Sequence, residues 1–404
     1  MPGGRWRWAA PVVLATGLAW WRLEAGPGDA DAARAPPARP APAGSSSPLP
    51  GPSTAPASAA PFSAAGAQAR QAQLALWQQR LEHAQDALDA YRRSTRYPDA
   101  SQPVADHADQ GHPHRPVEEE HAVRLSGGLS ADGLVLRTMQ ERIFALGEES
   151  VRFTVSLRDR SGAVQPLRIV RAWAHEVPPP RTAATHADAP LDLNDDGRAG
   201  DLAAGDGVYG MQLQPATQGF GDLFGQIRVE AALEIGGEKG FTYFDVFYTP
   251  EPPALWQGGV RESMVDGSLA FDLKAQVRQA GRYVITARVD DAHGAPFALL
   301  RFNDELAAGT QDVRLRLFGR LVRDLRPAFP LTLRDVDGFL LRESFPDRML
   351  MPRMAGAVHR TGTPALSDFS EADWSSEERA RYLAELSKDV AEAQAKVAQL
   401  AGPR

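Results

Sequence analysis

Residues 227–235 read Ile-Arg-Val-Glu-Ala-Ala-Leu-Glu-Ile, with apolar side chains on every second position. Successive side chains of a β-strand point to opposite faces of the sheet, so this alternation predicts a strand with one buried and one charged face. Residues 151–157 alternate in the same way. Sheets with only one buried face are commonly antiparallel. The sequence therefore predicts a mainly β fold built from antiparallel sheets.

Further strand-like stretches form two series, separated by the rigid segment Pro250-Glu251-Pro252-Pro253. They cover residues 151–157, 167–177, 208–213, 227–235 and 241–248 before it, and 269–273, 283–289, 313–317 and 331–333 after it. Short strands with turns about every eight to twelve residues are typical of immunoglobulin-like sandwiches. We therefore expect two immunoglobulin-like antiparallel β-sandwiches, over residues 122–250 and 251–345.

Amphipathic helices are expected to flank the sandwiches, over residues 66–96 and 375–401. Apolar residues recur there at alternating steps of three and four, as in the seam of a coiled coil. The seam positions are Leu74, Trp77, Leu81, Ala84, Leu88 and Tyr91, then Leu383, Leu386, Val390, Ala393, Val397 and Leu400. Ser375 and Glu378 are expected to form a capping box at the start of the second helix, which Gly402-Pro403 ends.

The two helices have three alternative arrangements. They can pack antiparallel, on each other or against a domain, which would bring the chain ends together. They can instead associate between two copies of the chain and form a homodimer. In the third arrangement both are solvated helices without a partner. The first is the expectation.

The N-terminal residues 1–25 are predicted to be a membrane signal. Arg5 and Arg7 precede the apolar run Trp8–Trp21, which is shorter than the ~20 residues of a spanning helix and favours a cleaved signal peptide. The bulky Trp20-Trp21-Arg22 and the tryptophans at both ends of the run favour an uncleaved anchor instead. We expect an inner-membrane anchor with the remainder in the periplasm. Secretion after cleavage is the alternative.

Three further segments are expected to lack regular structure. Residues 26–65 are rich in Pro, Ala, Gly and Ser, a composition typical of a disordered linker. Residues 97–121 are polar and interrupted by prolines, and residues 346–374 are expected to run in extended form along the domain surface. The connector 97–121 holds His107, His112, His114 and His121. Such a tract can bind zinc or copper, but an irregular connector is the expectation here.

Composition excludes several classes of function. The net charge is −7 and the sequence pI is about 5.8, so the chain lacks the basic surface that neutralises phosphates, and nucleic acid is not an expected partner. The chain has no cysteine. Disulfides, thiolate zinc sites and cysteine nucleophiles are therefore excluded.

The acidic loop, residues 192–210, is the stretch whose chemistry indicates a particular ligand. Hard divalent cations are bound by several oxygen ligands, and a Gly permits the sharp turn that folds these around one centre. The position where an EF-hand loop has its bidentate Glu is Ala203, so the loop is not an EF-hand. The expected ligands of a Ca²⁺ ion are Asp192, Asn194, Asp196, Asp201 and Asp206.

Two alternatives for the acidic loop stay open. Aspartates in Gly-rich turns commonly accept hydrogen bonds from their own backbone and need no ion. Acidic pairs such as Asp201 and Asp206 can also serve as acid and base in metal-assisted hydrolysis. No histidine or serine accompanies them in the loop, so we expect no catalytic residue.

The same loop resembles the signature of the choice-of-anchor X module, an immunoglobulin-like unit of exported bacterial proteins. The resemblance rests on residues 194–197, 200–201 and 204–209, and on weaker similarity at 309–313, 318–319 and 330–336. It would cover residues 122–341. It implies a pair of β-sandwiches on an exported protein, supported by calcium, and names no reaction. The expected membrane signal is N-terminal and no C-terminal sorting sequence is evident, so the kind of anchor that the module's name implies is not expected.

These features predict a non-enzymatic, envelope-anchored binding or scaffolding protein whose calcium-type loop stabilises the first sandwich. Its partners would be an unknown envelope protein or polymer and, through the N-terminal segment, the membrane. The alternatives are a passive spacer or assembly factor that dimerises through its helices, and a metal-dependent hydrolase.

Overall fold

The structure is a computed structural model that describes residues 64–111, 114–124 and 130–402. The predicted membrane signal and almost all of the predicted disordered linker lie outside the described residues. Within the described part of the chain, no helix is both long and apolar enough to cross a membrane.

The fold is mainly β. The strands are β1 Ser101–Pro103, β2 Val117–Arg124, β3 Ser130–Gln140, β4 Phe144–Leu146, β5 Val151–Asp159, β6 Val164–Gln165, β7 Arg168–Val177, β8 Ala189–Leu191, β9 Val208–Leu213, β10 Gly225–Ile235, β11 Glu238–Thr249, β12 Ala254–Val265, β13 Ser268–Val277, β14 Gly281–Asp290, β15 Pro296–Leu306, β16 Gly309–Leu317, β17 Thr332–Leu341, β18 Arg348–Leu350 and β19 Met354–Arg360. The helices are α1 Ala64–Ser94, α2 Gly319–Leu325 and α3 Glu377–Ala401, with 3₁₀ turns at Val104–Asp106, Ala108–Gly111 and Leu366–Asp368.

Strands β2 to β11 form the first β unit. One sheet has the order β4-β11-β10-β7-β8, and the other has the order β2-β3-β5-β6 with β9 also paired to β5. The described pairs are antiparallel except for β4 with β11, which is parallel. The sheets face each other across one apolar cluster, in which the rings of Phe153 and Phe244 lie 4.8 Å apart.

Strand β10 shows why the alternating sequence produces this arrangement. Its burial alternates without a break, and Ile227, Val229 and Leu233 are almost completely buried while Arg228 and Glu234 are partly exposed. Burying an aliphatic side chain stabilises the fold by about 1.5–3 kcal/mol. The apolar face of β10 is therefore fixed toward the opposite sheet.

Strands β1 and β12 to β19 form the second β unit. One sheet has the order β1-β15-β14-β17-β18 with β19 on β17, and the smaller sheet has the order β12-β13-β16. A separate apolar cluster joins them, and it includes the buried side chains of Phe271, Tyr283, Ile285 and Leu315. The two clusters share no residue. Each unit therefore has its own core.

Two of the three segments predicted to lack regular structure, 97–121 and 346–374, contain strands. In the connector 97–121, β1 pairs with β15, β2 begins at Val117, and Tyr97 packs in the second core. The expectation of an irregular connector is therefore wrong at both of its ends. The segment 346–374 is extended as expected, but β18 and β19 pair with β17, and Phe369 is buried in the second core. Open sheet edges offer unpaired backbone groups, and these short strands satisfy them.

Helices α1 and α3 pack against each other in antiparallel orientation. Near one end Arg70 Nε donates to the Leu400 carbonyl at 2.9 Å and its Nη2 to Gly402 O at 2.8 Å; near the other end the rings of Tyr91 and Tyr382 lie 5.7 Å apart. The least exposed positions of each helix are the seam positions named above, extended by Arg70 in α1 and by Arg379 in α3. The seam residues are therefore used for contact within one chain.

The start of α3 differs from the expectation by one residue. Ser376 is the N-cap, and its Oγ accepts a hydrogen bond from Arg379 N at 3.1 Å. Because the third helical residue is Arg379, Glu378 cannot form the capping box that was expected with Ser375. Arg379 instead donates from Nε to Thr95 O at 3.0 Å, which ties α3 to the end of α1. The helix ends at Gly402, as expected.

Replacement of Leu88 by Ala tests the helix pair. Leu88 is 7% exposed, whereas Leu76 on the same helix is 49% exposed. Truncating a buried Leu leaves a cavity and costs about 2–3 kcal/mol, so Leu88→Ala should speed amide hydrogen exchange in both α1 and α3. Leu76→Ala is the matched control, with an expected change within about 0.5 kcal/mol. Equal exchange in the two variants would show that the seam does not hold the helices together.

Candidate metal centre

The acidic loop leaves β8 in one sheet of the first unit and enters the other sheet at β9. At its base Asn194 N donates to Gly210 O at 3.1 Å and Gly210 N donates to Asn194 O at 2.8 Å, an antiparallel pair that closes the loop. Leu191 and Leu193 point into the first core on either side of Asp192. The alternation of an extended chain therefore directs Asp192 into solvent, where it is exposed.

The carboxylate of Asp195 organises the second half of the loop. Its Oδ1 accepts hydrogen bonds from Gly205 N at 2.8 Å and Asp206 N at 3.1 Å, and its Oδ2 accepts from Gly207 N at 3.0 Å. Its carbonyl accepts a further bond from Gly205 N at 3.1 Å. Three consecutive amides therefore converge on one side chain, which holds residues 205–207 against the start of the loop.

Asp201 is the buried acid of the loop, with 8% of its surface exposed. Its Oδ2 accepts a hydrogen bond from Gly197 N at 2.6 Å, and its Oδ1 lies 3.5 Å from Ala203 N. Its own amide donates to Arg198 O at 2.8 Å. A buried carboxylate without such partners would be strongly destabilising, so these bonds are what allow Asp201 to sit under the loop.

Two glycines allow the loop to lie directly on β9. A Cβ on Gly210 would stand 2.4 Å from both Cα and N of Asp201, and a Cβ on Gly200 would stand 2.5 Å from the carbonyl carbon of Met211. Gly200 also has a φ of +107°, which side-chain-bearing residues rarely adopt. The backbones at Asp201 and Gly210 are therefore in close contact.

This path brings three carboxylates together. One oxygen from each of Asp195, Asp201 and Asp206 lies within 4.8 Å of the others. Across the described ranges this is the one cluster of three or more His, Cys, Asp or Glu side chains close enough to share a metal ion. None of the described histidines of the connector belongs to such a group. His114 lies 3.5 Å from Asp337, and His121 lies 3.0 Å from Glu119. His112 lies outside the described residues.

The cluster matches the expected ligand set only in part. Asp201 and Asp206 belong to it, but Asp192 and Asp196 do not, and Asp195 was left out of the expectation. Asn194 Oδ1 accepts a hydrogen bond from Asp196 N at 3.2 Å and so holds the turn. The expectation assigned ligands to alternate residues, as in a calcium loop, whereas the pairing at the base of the loop turns Asp195 inward.

The donor set fits a hard divalent cation in its chemistry. Such ions take six to eight oxygen ligands, and three carboxylates offer up to six oxygens. Asp195 Oδ1 already accepts two amide hydrogen bonds, and the other oxygens keep lone pairs beyond those used by the amides. Asp206 uses Oδ1 to accept from Val208 N at 2.9 Å. The same carboxylates make the backbone hydrogen bonds expected of a Gly/Asp-rich turn. The residues that would hold an ion are Asp195, Asp201 and Asp206.

A second polar arrangement anchors the segment that precedes β8. His186 lies between two carboxylates, with Nδ1 2.9 Å from Glu176 and Nε2 3.1 Å from Asp222. The hydrogen bond with Glu176 raises the pKa of His186. Burial opposes ionisation of Glu176, but its hydrogen bonds with His186 and Thr185 lower its pKa to about 2. His186 therefore forms a charged pair with Glu176 of β7, and its contact with Asp222 links the loop after β7 to the loop before β10.

Comparison with known proteins does not assign the chain to a family. No family model matches it, and no curated protein does. A DUF4785 family protein of Legionella pneumophila is similar in structure, with 15% identity and a TM-score of 0.36 over 58% of this chain and 57% of that chain. The adhesin InvE of Yersinia pseudotuberculosis aligns with 11% identity and a TM-score of 0.19 over 50% and 55%.

Escherichia coli alpha-2-macroglobulin aligns with 13% identity and a TM-score of 0.27, over 59% of this chain and 15% of that one. This chain thus spans little more than half the length of the first two proteins. None of the three carries a choice-of-anchor name. Similarity at this level supports no functional assignment.

Replacement of Gly210 by Ala tests the close contact under the loop. The added Cβ would collide with backbone atoms, which cannot rotate away, so we expect a loss of about 1–3 kcal/mol in the free energy of unfolding. Gly259→Ala is the control, because a Cβ there meets nothing within 4 Å. Urea denaturation measures both variants. A Gly210→Ala midpoint equal to that of Gly259→Ala would contradict the described path of the loop.

The His186 pair predicts a pH dependence of stability. A folded-state pKa above the ordinary value of about 6.5 adds stability below that pH, and this contribution is lost as pH rises through the raised pKa. His186→Gln removes it, so the variant should be destabilised relative to wild type at about pH 5.5, and less so at about pH 8.5. Thermal unfolding measures both, with His293→Gln, at an exposed turn, as control. A pH-independent deficit would contradict the ion pair.

Proposed function

We propose that the chain is a non-enzymatic binding or scaffolding protein of the bacterial envelope, in which a calcium ion in the acidic loop stabilises the first β unit. The observation that carries the proposal is the convergence of Asp195, Asp201 and Asp206 within 4.8 Å, with Asp201 buried. Like charges at this distance repel, and burial strengthens the repulsion. A divalent cation would convert that repulsion into attraction.

An ion bound at this site would stabilise the first β unit because of the position of its ligands. Asp195 holds the second half of the loop, and Asp201 lies against β9, which is part of the sheet that carries Phe153 and Val155 into the first core. An ion shared by these residues would fix the long connection between β8 and β9. Its role would be to make one end of the first unit rigid.

Contacts between the β units support a scaffolding role. Leu350 N donates to Thr249 Oγ1 at 3.2 Å, and the ring of Phe345 meets that of Phe247 edge to face at 5.4 Å. The guanidinium of Arg348 lies 4.9 Å from the rings of both Phe144 and Phe339. Such contacts limit motion between the units, so the pair would hold a fixed spacing.

Further parts of the proposal rest on the sequence. The two units are proposed to be immunoglobulin-like sandwiches of the choice-of-anchor X type. Residues 1–25 would hold the chain at the inner membrane, and the partner would be an envelope protein or polymer. Extracellular calcium-binding modules typically have dissociation constants of ~10⁻⁴–10⁻³ M. Calcium at such concentrations would occupy a loop of this kind.

The alternatives are less well supported by the contacts. Dimerisation through the helices would need the seam that α1 and α3 already use for each other. Hydrolysis at the acidic loop would need carboxylates free to exchange protons. Those of Asp195 and Asp201 accept hydrogen bonds from backbone amides, which favours a structural role.

Calcium should raise the melting temperature of the full-length protein, and EDTA should lower it to the value of the metal-free protein. At about 100 times the dissociation constant, an ion that binds only the folded state adds ~2.7 kcal/mol. Asp195→Asn and Asp201→Asn should each abolish the calcium-dependent shift. The readout is this shift and not the basal melting temperature, because both residues also hold backbone amides.

Two controls distinguish the outcomes. Asp266→Asn, at an exposed turn of the second unit, should keep the full shift. Asp192→Asn tests the sequence-based ligand set, and we expect it to keep the shift because Asp192 lies outside the cluster. Wild-type melting that calcium leaves unchanged would show that the loop is a self-sufficient turn.

A further inference from the structure

A cleft of about 460 Å³ lies between the two β units, away from the acidic loop. Glu141, Arg142 and Ile143 line it from the first unit, and Asp337 and Arg353 line it from the second. The volume is within the range of about 300–1,000 Å³ that is typical of small-molecule sites. The contacts between Phe247 and Phe345 and between Thr249 and Leu350 connect the units, so the cleft has fixed walls.

The polar groups of the first wall are held in place. Arg142 Nη1 lies 3.0 Å from Glu149 and its Nη2 lies 3.4 Å from Glu141. Each of these carboxylates also accepts a backbone hydrogen bond, Glu149 from Leu146 N at 3.0 Å and Glu141 from Arg152 N at 3.2 Å. The charged groups of this wall are therefore preoriented, and two carboxylates against one arginine leave the wall with a net negative charge.

The opposite wall has an excess of positive charge. Arg353 is exposed at the cleft, and no carboxylate lies within ion-pair distance of it in the ranges that the structure describes. Burial, with the nearby charges of Arg353 and Arg142, lowers the pKa of His114 to about 4. His114 Nε2 is buried without a hydrogen-bond partner in those ranges, 3.5 Å from Asp337 Oδ2. Burial also raises the pKa of Asp337 to about 6. The lining as a whole has an excess of one positive charge, which one added negative charge would balance: its arginines are Arg115, Arg142, Arg348 and Arg353, and its carboxylates are Glu141, Glu149 and Asp337.

Other lining residues limit the class of ligand. Three acids, Glu141, Glu149 and Asp337, line the same space, so a doubly charged anion such as phosphate would meet more repulsion than a singly charged one. Val117 and Ile143 are 36% and 38% exposed there and offer aliphatic surface. A small anion with one carboxylate, some apolar surface and hydrogen-bond donors fits these features.

We propose that this cleft binds a small organic carboxylate, with Arg353 pairing with its carboxylate group and Asp337 accepting hydrogen bonds from its hydroxyl or amide donors. An acidic sugar and the free C-terminus of a short peptide both present this chemistry. The site is independent of the acidic loop, and it extends the binding role to a defined place in the fold.

Ligand-observed NMR titration of the full-length protein tests the site. The probes are D-glucuronate for an acidic sugar and acetyl-alanyl-alanine for a peptide terminus, and the neutral partners are D-glucose and acetyl-alanyl-alanine amide. At least one acid should bind about tenfold more tightly than its neutral partner, a difference of ~1.4 kcal/mol, because only the acid can form a charged hydrogen bond with Arg353. The acid that binds identifies the source. Inorganic phosphate should bind more weakly than that acid.

Arg353→Gln should weaken binding of the acid about tenfold. Arg360→Gln is the matched control, because Arg360 is an exposed arginine of β19 that does not line the cleft. It should leave binding unchanged, and both variants should keep the wild-type melting temperature. The proposal is overturned if neither acid binds, if neutral partners bind equally well, if phosphate binds more tightly, or if Arg353→Gln binds like wild type.

Discussion

Burial of one face of each sheet is the interaction on which the structure depends. Every second residue of β10 is apolar, and that face finds cover only against the opposite sheet of the same unit. In the second unit the apolar faces of the two sheets also cover each other, with Phe271 and Leu315 on one sheet and Tyr283 and Ile285 on the other. Because each cluster lies mainly between its own pair of sheets, the remaining segments complete its margins, cover sheet edges, join the units and form the helix pair; Tyr97 and Phe369 enter the second core in this way.

Sequence patterns predicted the parts of the fold in which one physical rule acts alone. The alternation of Ile227 to Ile235 and the heptad spacing from Leu74 to Tyr91 both translate directly into faces of elements. The same reasoning missed β15, whose buried residues Phe297, Ala298 and Leu300 do not alternate cleanly. It also missed α2, which is too short to show a helical period. Edge strands such as β19 were missed because backbone pairing, and not side-chain pattern, places them.

The prediction of the acidic loop was also only partly correct, because contacts distant in sequence decide which of its residues converge. The composition of the loop predicted that carboxylates would converge, and Asp201 and Asp206 do so. The choice between Asp192 and Asp195 depended on how the chain closes at Asn194 and Gly210, which is a contact between residues sixteen positions apart. The sequence could not predict the cleft between the units at all. His114, Glu141 and Asp337 are distant in the chain, and only packing of the two units brings them to one space.

The antiparallel helix pair also determines how the molecule would bear a mechanical load. Arg70 holds the carbonyls of Leu400 and Gly402, where the helix dipole of α3 is negative, so the outer ends of the two helices lie side by side. A pull that separates these two ends would peel the seam open one turn at a time, at low force. A pull between residue 64 and the β units would instead run along α1, which leads directly into β1, and the contacts with α3 would bear load only once α1 began to unwind. The direction of the load would thus decide whether it opens the helix pair or is carried by α1 itself.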